Sequence, residues 1–387
     1  MAKVDRFTKP KGLDNIGATC YMNAVLQCFF HVEVLTNELL QYQIIPCMPF
    51  TIAYKDIISQ LASNNISSGN PTLFKNVISM NPLFRGIQAN DSKDLILYFM
   101  ENIENELTIK NLFCCNQRYI NRIKNIRNVQ TPELLNIINV FQNNHKSIIS
   151  DLFYGFKSQL LECDFCHNKQ INYQIFNILI FPIEAIYNLS KESKGYENNY
   201  GKKNLNRSAR TETQNQVYGS FYNGYSKTSI YGSYNGGYGK KSVSIESCFE
   251  FENNDIKFHG DNQIYCNKCQ KMRDAVEKTK IFSSPHVLIL VLNRGRGNSF
   301  DCDVDFKETL NISKYVENKD VPVNYQLIGV ISHLGESSMS GHFIADCRHF
   351  DGKWYSFSDR SVTGPNGYYS KKGTPYILFY QNKELLN

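Results

Sequence analysis

The chain has 387 residues, 42% hydrophobic and 20% charged, with a net charge of +6. That is an ordinary soluble composition, long enough to bury a large core in two or three sub-domains. The longest apolar run, Val287–Leu292, is far short of a bilayer span, and Met1–Arg6 has no apolar core of signal-peptide length; both argue against a membrane or secreted protein. The expected location is the cytoplasm and/or nucleus. In such a reducing compartment the twelve cysteines read as nucleophile, metal ligands and buried thiols, and not as a disulfide scaffold.

In chain order, the first informative stretch is Gly12-Leu13-Asp14-Asn15-Ile16-Gly17-Ala18-Thr19-Cys20-Tyr21-Met22-Asn23-Ala24-Val25-Leu26-Gln27. It sets Cys20 on a glycine-bearing turn at the mouth of a helix, where backbone N–H groups and the helix dipole favour a thiolate. Cys20 is the candidate nucleophile, against the plainer reading of a small buried side chain. Asn15, on the same turn, is placed to aim its amide at the carbonyl oxygen under attack beside the Cys20 N–H, an oxyanion hole in outline.

Apolar residues recur at helical spacing over Asn23–His31, Thr51–Ala62 and Asp91–Leu107, and Thr131-Pro132 opens another helix with proline just inside the cap. From about Ser150, short or alternating apolar runs read as strands: Tyr173–Ile183, Ala275–Phe282, His286–Leu292, Tyr325–Ser332, His342–Cys347 and Tyr376–Tyr380. Cys163-Asp164-Phe165-Cys166 and Cys266-Asn267-Lys268-Cys269 are two knuckles whose four thiolates suit a closed, structural zinc site; four unliganded thiols are the competing reading. His167 and His259 neighbour them as bystanders.

Between the knuckles, Glu184–Lys241 carries nine Lys/Arg against four Glu, which accounts for most of the chain's net charge. It is rich in Tyr, Gly, Asn and Ser, as in Tyr218–Tyr225 and Tyr231–Tyr238, lacks helical or strand periodicity and reads as a disordered low-complexity loop. Its tyrosines and basic residues would permit weak RNA contact, though the near-neutral remainder argues against a nucleic-acid enzyme. Downstream, Ser340-Gly341-His342-Phe343-Ile344-Ala345-Asp346 and Trp354-Tyr355-Ser356-Phe357-Ser358-Asp359 offer His342 as the base a cysteine nucleophile needs. A half-buried strand histidine is the alternative.

Gly12–Gln27 resembles the cysteine box of the ubiquitin-specific proteases, papain-like cysteine deubiquitinases, and Gly341–Asp359 resembles their histidine box. Gln88–Leu95, Val287–Arg294 and Pro375–Tyr380 are similar to the family's acidic helix entry, central palm strand and closing strand. The resemblance implies an α+β, papain-like fold: a helical thumb carrying Cys20 (1–148), fingers and palm begun at 149–183, the disordered insertion (184–241), the rest of the zinc-ribbon fingers (242–280), and a β palm carrying His342 (281–387). It also implies thiol-dependent hydrolysis after the last glycine of ubiquitin, with ubiquitin and ubiquitinated proteins as partners and the protein a monomer. Asp91 and Asp94 would meet the arginines of the ubiquitin tail, or simply cap a solvated helix entry, and Gly341 would line the tail's channel.

One position departs from the family. Asp or Asn usually follows the Phe of the histidine box, and here it is Ser358, followed by Asp359. In an extended strand the two point to opposite faces, so only one is expected to orient His342; position favours Ser358, with Asp359 in support. Phe343 for the usual Tyr and Asp94-Leu95 for Glu-Phe are milder changes. The alternatives to a deubiquitinase are a catalytically silent ubiquitin-binding scaffold and a protease for another ubiquitin-like modifier.

Overall fold

The computed structural model describes residues 9–42, 45–108, 132–195, 241–295, 299–318, 321–337 and 340–385. The tyrosine stretches at 218–225 and 231–238 lie outside them. The first half is mainly helical: α1 (Cys20–Phe30), α2 (Glu33–Gln41), α3 (Pro49–Ala62), α4 (Thr72–Ile78), α5 (Ser92–Thr108), α6 (Pro132–Asn144) and α7 (Ile148–Phe153). Two short strands, β1 (Gly12–Leu13) and β2 (Ser68–Gly69), pair in parallel beside them. Helix α1 is buried along its whole length, which is why its sequence carries so few polar residues. Phe29 stacks on Phe99 of α5 at 4.1 Å and meets Phe153 of α7 edge-on at 5.7 Å. The helical region runs past the expected boundary at 148, because Ser147 and Ser150 cap α7 reciprocally.

Among the described residues an eight-stranded sheet forms the second layer, with β17 (Ser361–Asn366), β16 (Trp354–Ser358), β15 (Ser340–Arg348), β14 (Asn324–Ser337), β18 (Thr374–Asn382), β11 (Val287–Asn293) and β5 (Ile178–Pro182) in that order, and β13 (Thr309–Asn311) beside β14. Strand β11 shows why its sequence is continuously apolar. Val287, Ile289 and Val291 face the helical core, and Leu288, Leu290 and Leu292 face a second core on the other side. That second core is partly covered by α8 (Ile183–Gly195) and α9 (Ile245–Glu252). Helix α8 corrects the expectation that disorder begins at Glu184: Ile183 and Ile186, three residues apart, bury one face against the sheet.

A second sheet, in the order β4 (Lys169–Phe176), β3 (Gly155–Cys163), β10 (Ala275–Ser283) and β7 (Ile256–Phe258), projects from the first. The hairpin of β8 (Ile264–Cys266) and β9 (Lys271–Arg273) lies at its far end, so both cysteine knuckles sit at strand ends. A helical thumb, a β palm and β fingers are therefore present, and the seam between α1 and β15 brings the two catalytic boxes together.

Candidate active site

Cys20 is the first residue of α1, and its side chain lies at the α1–β15 seam, only 5% exposed. The turn before it is held by Asn15, whose Oδ1 accepts from the N–H groups of Gly17 (3.1 Å) and Thr19 (3.2 Å). Gly17 has φ +117°, where a residue with a Cβ is strained, and this lets the chain turn sharply into the helix. The expected low thiol pKa is not what results. Burial pushes the Cys20 thiol up and the Asp359 charge adds to this, outweighing the opposing hydrogen bonds from the backbone of Phe343, Tyr21 and Cys20 itself. A thiol pushed up in this way needs a base to take its proton.

The candidate base, His342, lies one residue before Phe343. His342 Nε2 lies 2.8 Å from Ser358 Oγ and 3.9 Å from Asp359 Oδ2. Ser358 makes the direct hydrogen bond to the ring, and the Asp359 carboxylate stands farther off, beyond hydrogen-bond distance. Strand β16 ends at Ser358, and Asp359 opens a two-residue turn with φ +50°, which brings its carboxylate back toward the imidazole. A left-handed aspartate is among the less costly of such residues. The turn is also clamped from behind: the Leu13 N–H donates to the Asp359 carbonyl at 3.0 Å, and a Cβ on Gly12 would come within 2.2 Å of that same oxygen.

The Asp359 carboxylate is the hub of the site. Asn15 Nδ2 donates to its Oδ2 at 2.8 Å, and Asn23 Nδ2 to its Oδ1 at 2.8 Å. Asn15 thus spends one of its two amide hydrogens on Asp359. Within the same turn, Arg360 Nε donates to Asp14 at 2.8 Å, and this contact holds the Asp14 carboxyl below its usual range. Asn23 and the Asp14–Arg360 pair were missed in the sequence. The one available signal was that Asn23 falls a helical turn after Cys20.

The remaining expected site residues have structural partners of their own. Asp91 caps α5 by accepting from the Lys93 N–H at 2.8 Å, and Tyr376 of β18 donates to both its oxygens at 2.8 and 2.9 Å. This ties thumb to palm beside the site. Asp94 is half-buried; burial pushes its carboxyl up, with Lys93 at 3.4 Å opposing. Gly341 is exposed, and a Cβ there would lie 2.3 Å from the His333 ring, so packing alone requires glycine.

At the tip of the fingers the Sγ atoms of Cys163, Cys166, Cys266 and Cys269 all lie within 4.8 Å of one another. The two knuckles repeat one geometry. His167 donates its N–H to the Cys163 carbonyl at 2.9 Å, Gln270 to that of Cys266 at 2.7 Å, and the two residues have φ +55° and +53°. Cys166 and Cys266 sulfurs are 3.6 Å apart, close to the roughly 3.8 Å edge of a tetrahedron built on metal–sulfur bonds of about 2.3 Å. The Cys269 N–H points at Cys266 Sγ at 3.5 Å, the kind of contact that steadies a thiolate ligand. The four cysteines can hold a metal ion, and His167 and His259 are not part of the cluster.

With fold and site in hand, comparison with known proteins defines the class. A family model described as "Ubiquitin carboxyl-terminal hydrolase" matches residues 11–380, and the chain belongs to that family. It is similar to "Ubiquitin carboxyl-terminal hydrolase 10" of Saccharomyces cerevisiae, 25% identical over 94% of this chain and 47% of the relative. It is also similar to "Ubiquitin carboxyl-terminal hydrolase Usp2" of Drosophila melanogaster, 22% identical over 96% of this chain and 34% of the relative. The chain thus spans half or less of the length of these relatives.

Proposed function

We propose that this chain is a cysteine-type deubiquitinase that hydrolyses the peptide or isopeptide bond after the C-terminal glycine of ubiquitin. The observation that carries this reading is the meeting of Cys20, Asn15, His342 and Asp359 at one thumb–palm seam, in a chain of the ubiquitin carboxyl-terminal hydrolase family. Ser358 and Asp359 both approach His342 at Nε2, which leaves Nδ1 as the nitrogen for the Cys20 thiol.

His342 takes the thiol proton, and the sulfur attacks the carbonyl carbon of the terminal glycine. The C–S bond forms as the carbonyl π electrons move to oxygen, where the free Asn15 amide hydrogen and the Cys20 N–H receive the charge. Collapse breaks the C–N bond, and the imidazolium gives its proton to the leaving amine. A water that passes its proton to His342 then cleaves the thioester and restores the thiol. Throughout, Ser358 holds the ring in place, and Asp359 stabilises the imidazolium by its charge. Asp91 and Asp94, on the thumb side of the seam, would face the cationic tail of ubiquitin. The four finger cysteines would hold a structural zinc, which supplies rigidity at the tip and, with four thiolates bound, has no open position for water.

The test is hydrolysis of ubiquitin carrying a C-terminal fluorogenic amide, alongside the same group on other ubiquitin-like modifiers. Turnover with ubiquitin, lost in Cys20→Ala with the fold retained, is the expected result. Full turnover in Cys20→Ala would assign the nucleophile elsewhere, and turnover only with another modifier would reassign the substrate.

A further inference from the structure

We propose that Asn23 is a positioning residue for this reaction, holding the Asp359 carboxylate in the one orientation that serves Asn15 and His342 together. The inference rests on the thiol-hydrolase reading above. Asn23 sits on α1 three residues after Cys20, so both side chains leave the same face of one rigid helix. It is 2% exposed, and its Nδ2 donates to Asp359 Oδ1 at 2.8 Å and to the Asp14 carbonyl at 3.2 Å. Its Oδ1 has no hydrogen-bond partner among the described residues. A buried amide oxygen left without a partner is destabilising, and an apolar side chain would pack here without that penalty. What the amide offers in return is its donation to Asp359.

That donation decides which oxygen faces the catalytic groups. With Oδ1 engaged by Asn23, Oδ2 is the oxygen presented to Asn15 at 2.8 Å and to His342 at 3.9 Å. Because Asn23 shares a helix with Cys20, it registers the nucleophile's element against the turn that carries the acid. Thumb and palm are aligned at the site by this contact before substrate arrives. Without it, Asn15 alone holds the carboxylate, and the base and the oxyanion amide lose half of their common support.

The experiment is a double-mutant cycle on steady-state hydrolysis of ubiquitin with a C-terminal fluorogenic amide, with thermal unfolding of every variant as the control for folding. Asn23→Ala is expected to lower kcat by about tenfold to a hundredfold with KM within about twofold, because substrate is not touched. Introduced into Asp359→Ala, the same change is expected to alter kcat less than about threefold, since residues acting through one another are not additive. Asn23→Ser serves in the cycle if the alanine variant unfolds. Asn23→Asp sets a second carboxylate against Asp359, and the pair then shares a proton. Its kcat relative to the wild type is therefore expected to recover as pH is lowered from about 8 to about 6. Fully additive losses, or an Asn23→Asp variant with the wild-type pH profile, would overturn the role while leaving the hydrolase intact. A wild-type protein with no turnover on ubiquitin would overturn the hydrolase reading and this role with it.

Discussion

Under the proposed mechanism, Ser358 and Asp359 divide the work of orienting His342 by distance and charge. Ser358 is the nearer group to His342, at 2.8 Å, but its hydroxyl is neutral; Asp359, at 3.9 Å, carries a charge and also holds Asn15 and Asn23. Charge stabilises an imidazolium more than a neutral acceptor does, and loss of the charged member of a related triad costs about 10⁴ in kcat. Asp359→Ala is therefore expected to lower kcat by about 10² to 10⁴, and Ser358→Ala by about tenfold or less. Steady-state kinetics of both folded variants decide the matter. A larger loss from Ser358→Ala would make the hydroxyl the principal partner and reduce Asp359 to a clamp for Asn15.

At the scale of elements, the fingers depend on two knuckles that hydrogen bonds alone hold weakly. β8 and β9 pair over only three residues, and the hairpin they form is covered by little apolar surface, with Tyr265 and Met272 56% and 51% exposed. An isolated two-stranded hairpin is marginal in water, and four thiolates on one ion would supply the cross-link the tip lacks. Structural zinc in such sites contributes on the order of 10 kcal/mol of folding free energy. Purified protein is expected to contain one zinc per chain, and Cys166→Ser or Cys269→Ser is expected to lose it and melt at lower temperature. Protein without zinc, and with all four thiols freely reactive in the native state, would refute the assignment.

Across the whole molecule, the thumb–palm seam buries more than the catalytic groups. At the far end of α1, His31 Nδ1 lies 2.7 Å from the Gln27 carbonyl, and its Nε2 lies 3.1 Å from His349 Nδ1 on the palm. Phe350 and Phe357 flank the ring at 5.5 and 5.2 Å. Burial pushes the His31 pKa down to about 3, with the neighbouring His349 adding to the effect. Between about 3 and the ordinary value near 6.5, the unfolded chain binds a proton that the folded chain refuses. Stability therefore falls with falling pH across that window, by up to about 1.4 kcal/mol per unit. His31→Asn is expected to flatten the dependence of the urea midpoint on pH between about 6.5 and 4. An unchanged slope would mean that other groups govern acid unfolding.

The main elements and the nucleophile's place were legible in the sequence because local signals decide them. Helical periodicity placed α3 and α5, the continuous apolar run of β11 marked a strand buried on both faces, and the paired knuckle spacings located the four-cysteine cluster. Glycine and small residues before Cys20 marked the turn into α1. What required the tertiary structure were quantities that depend on segments distant in the chain. The Cys20 thiol is raised and not lowered, because burial at the seam with β15 outweighs the helix mouth. Helix α8 was hidden by the polar, low-complexity composition around it, and only its contact with the sheet gives Ile183 and Ile186 a face to bury. Asp359 turns toward His342 because β1, over 340 residues away, clamps its carbonyl, and alternation along an isolated strand carries no trace of that contact.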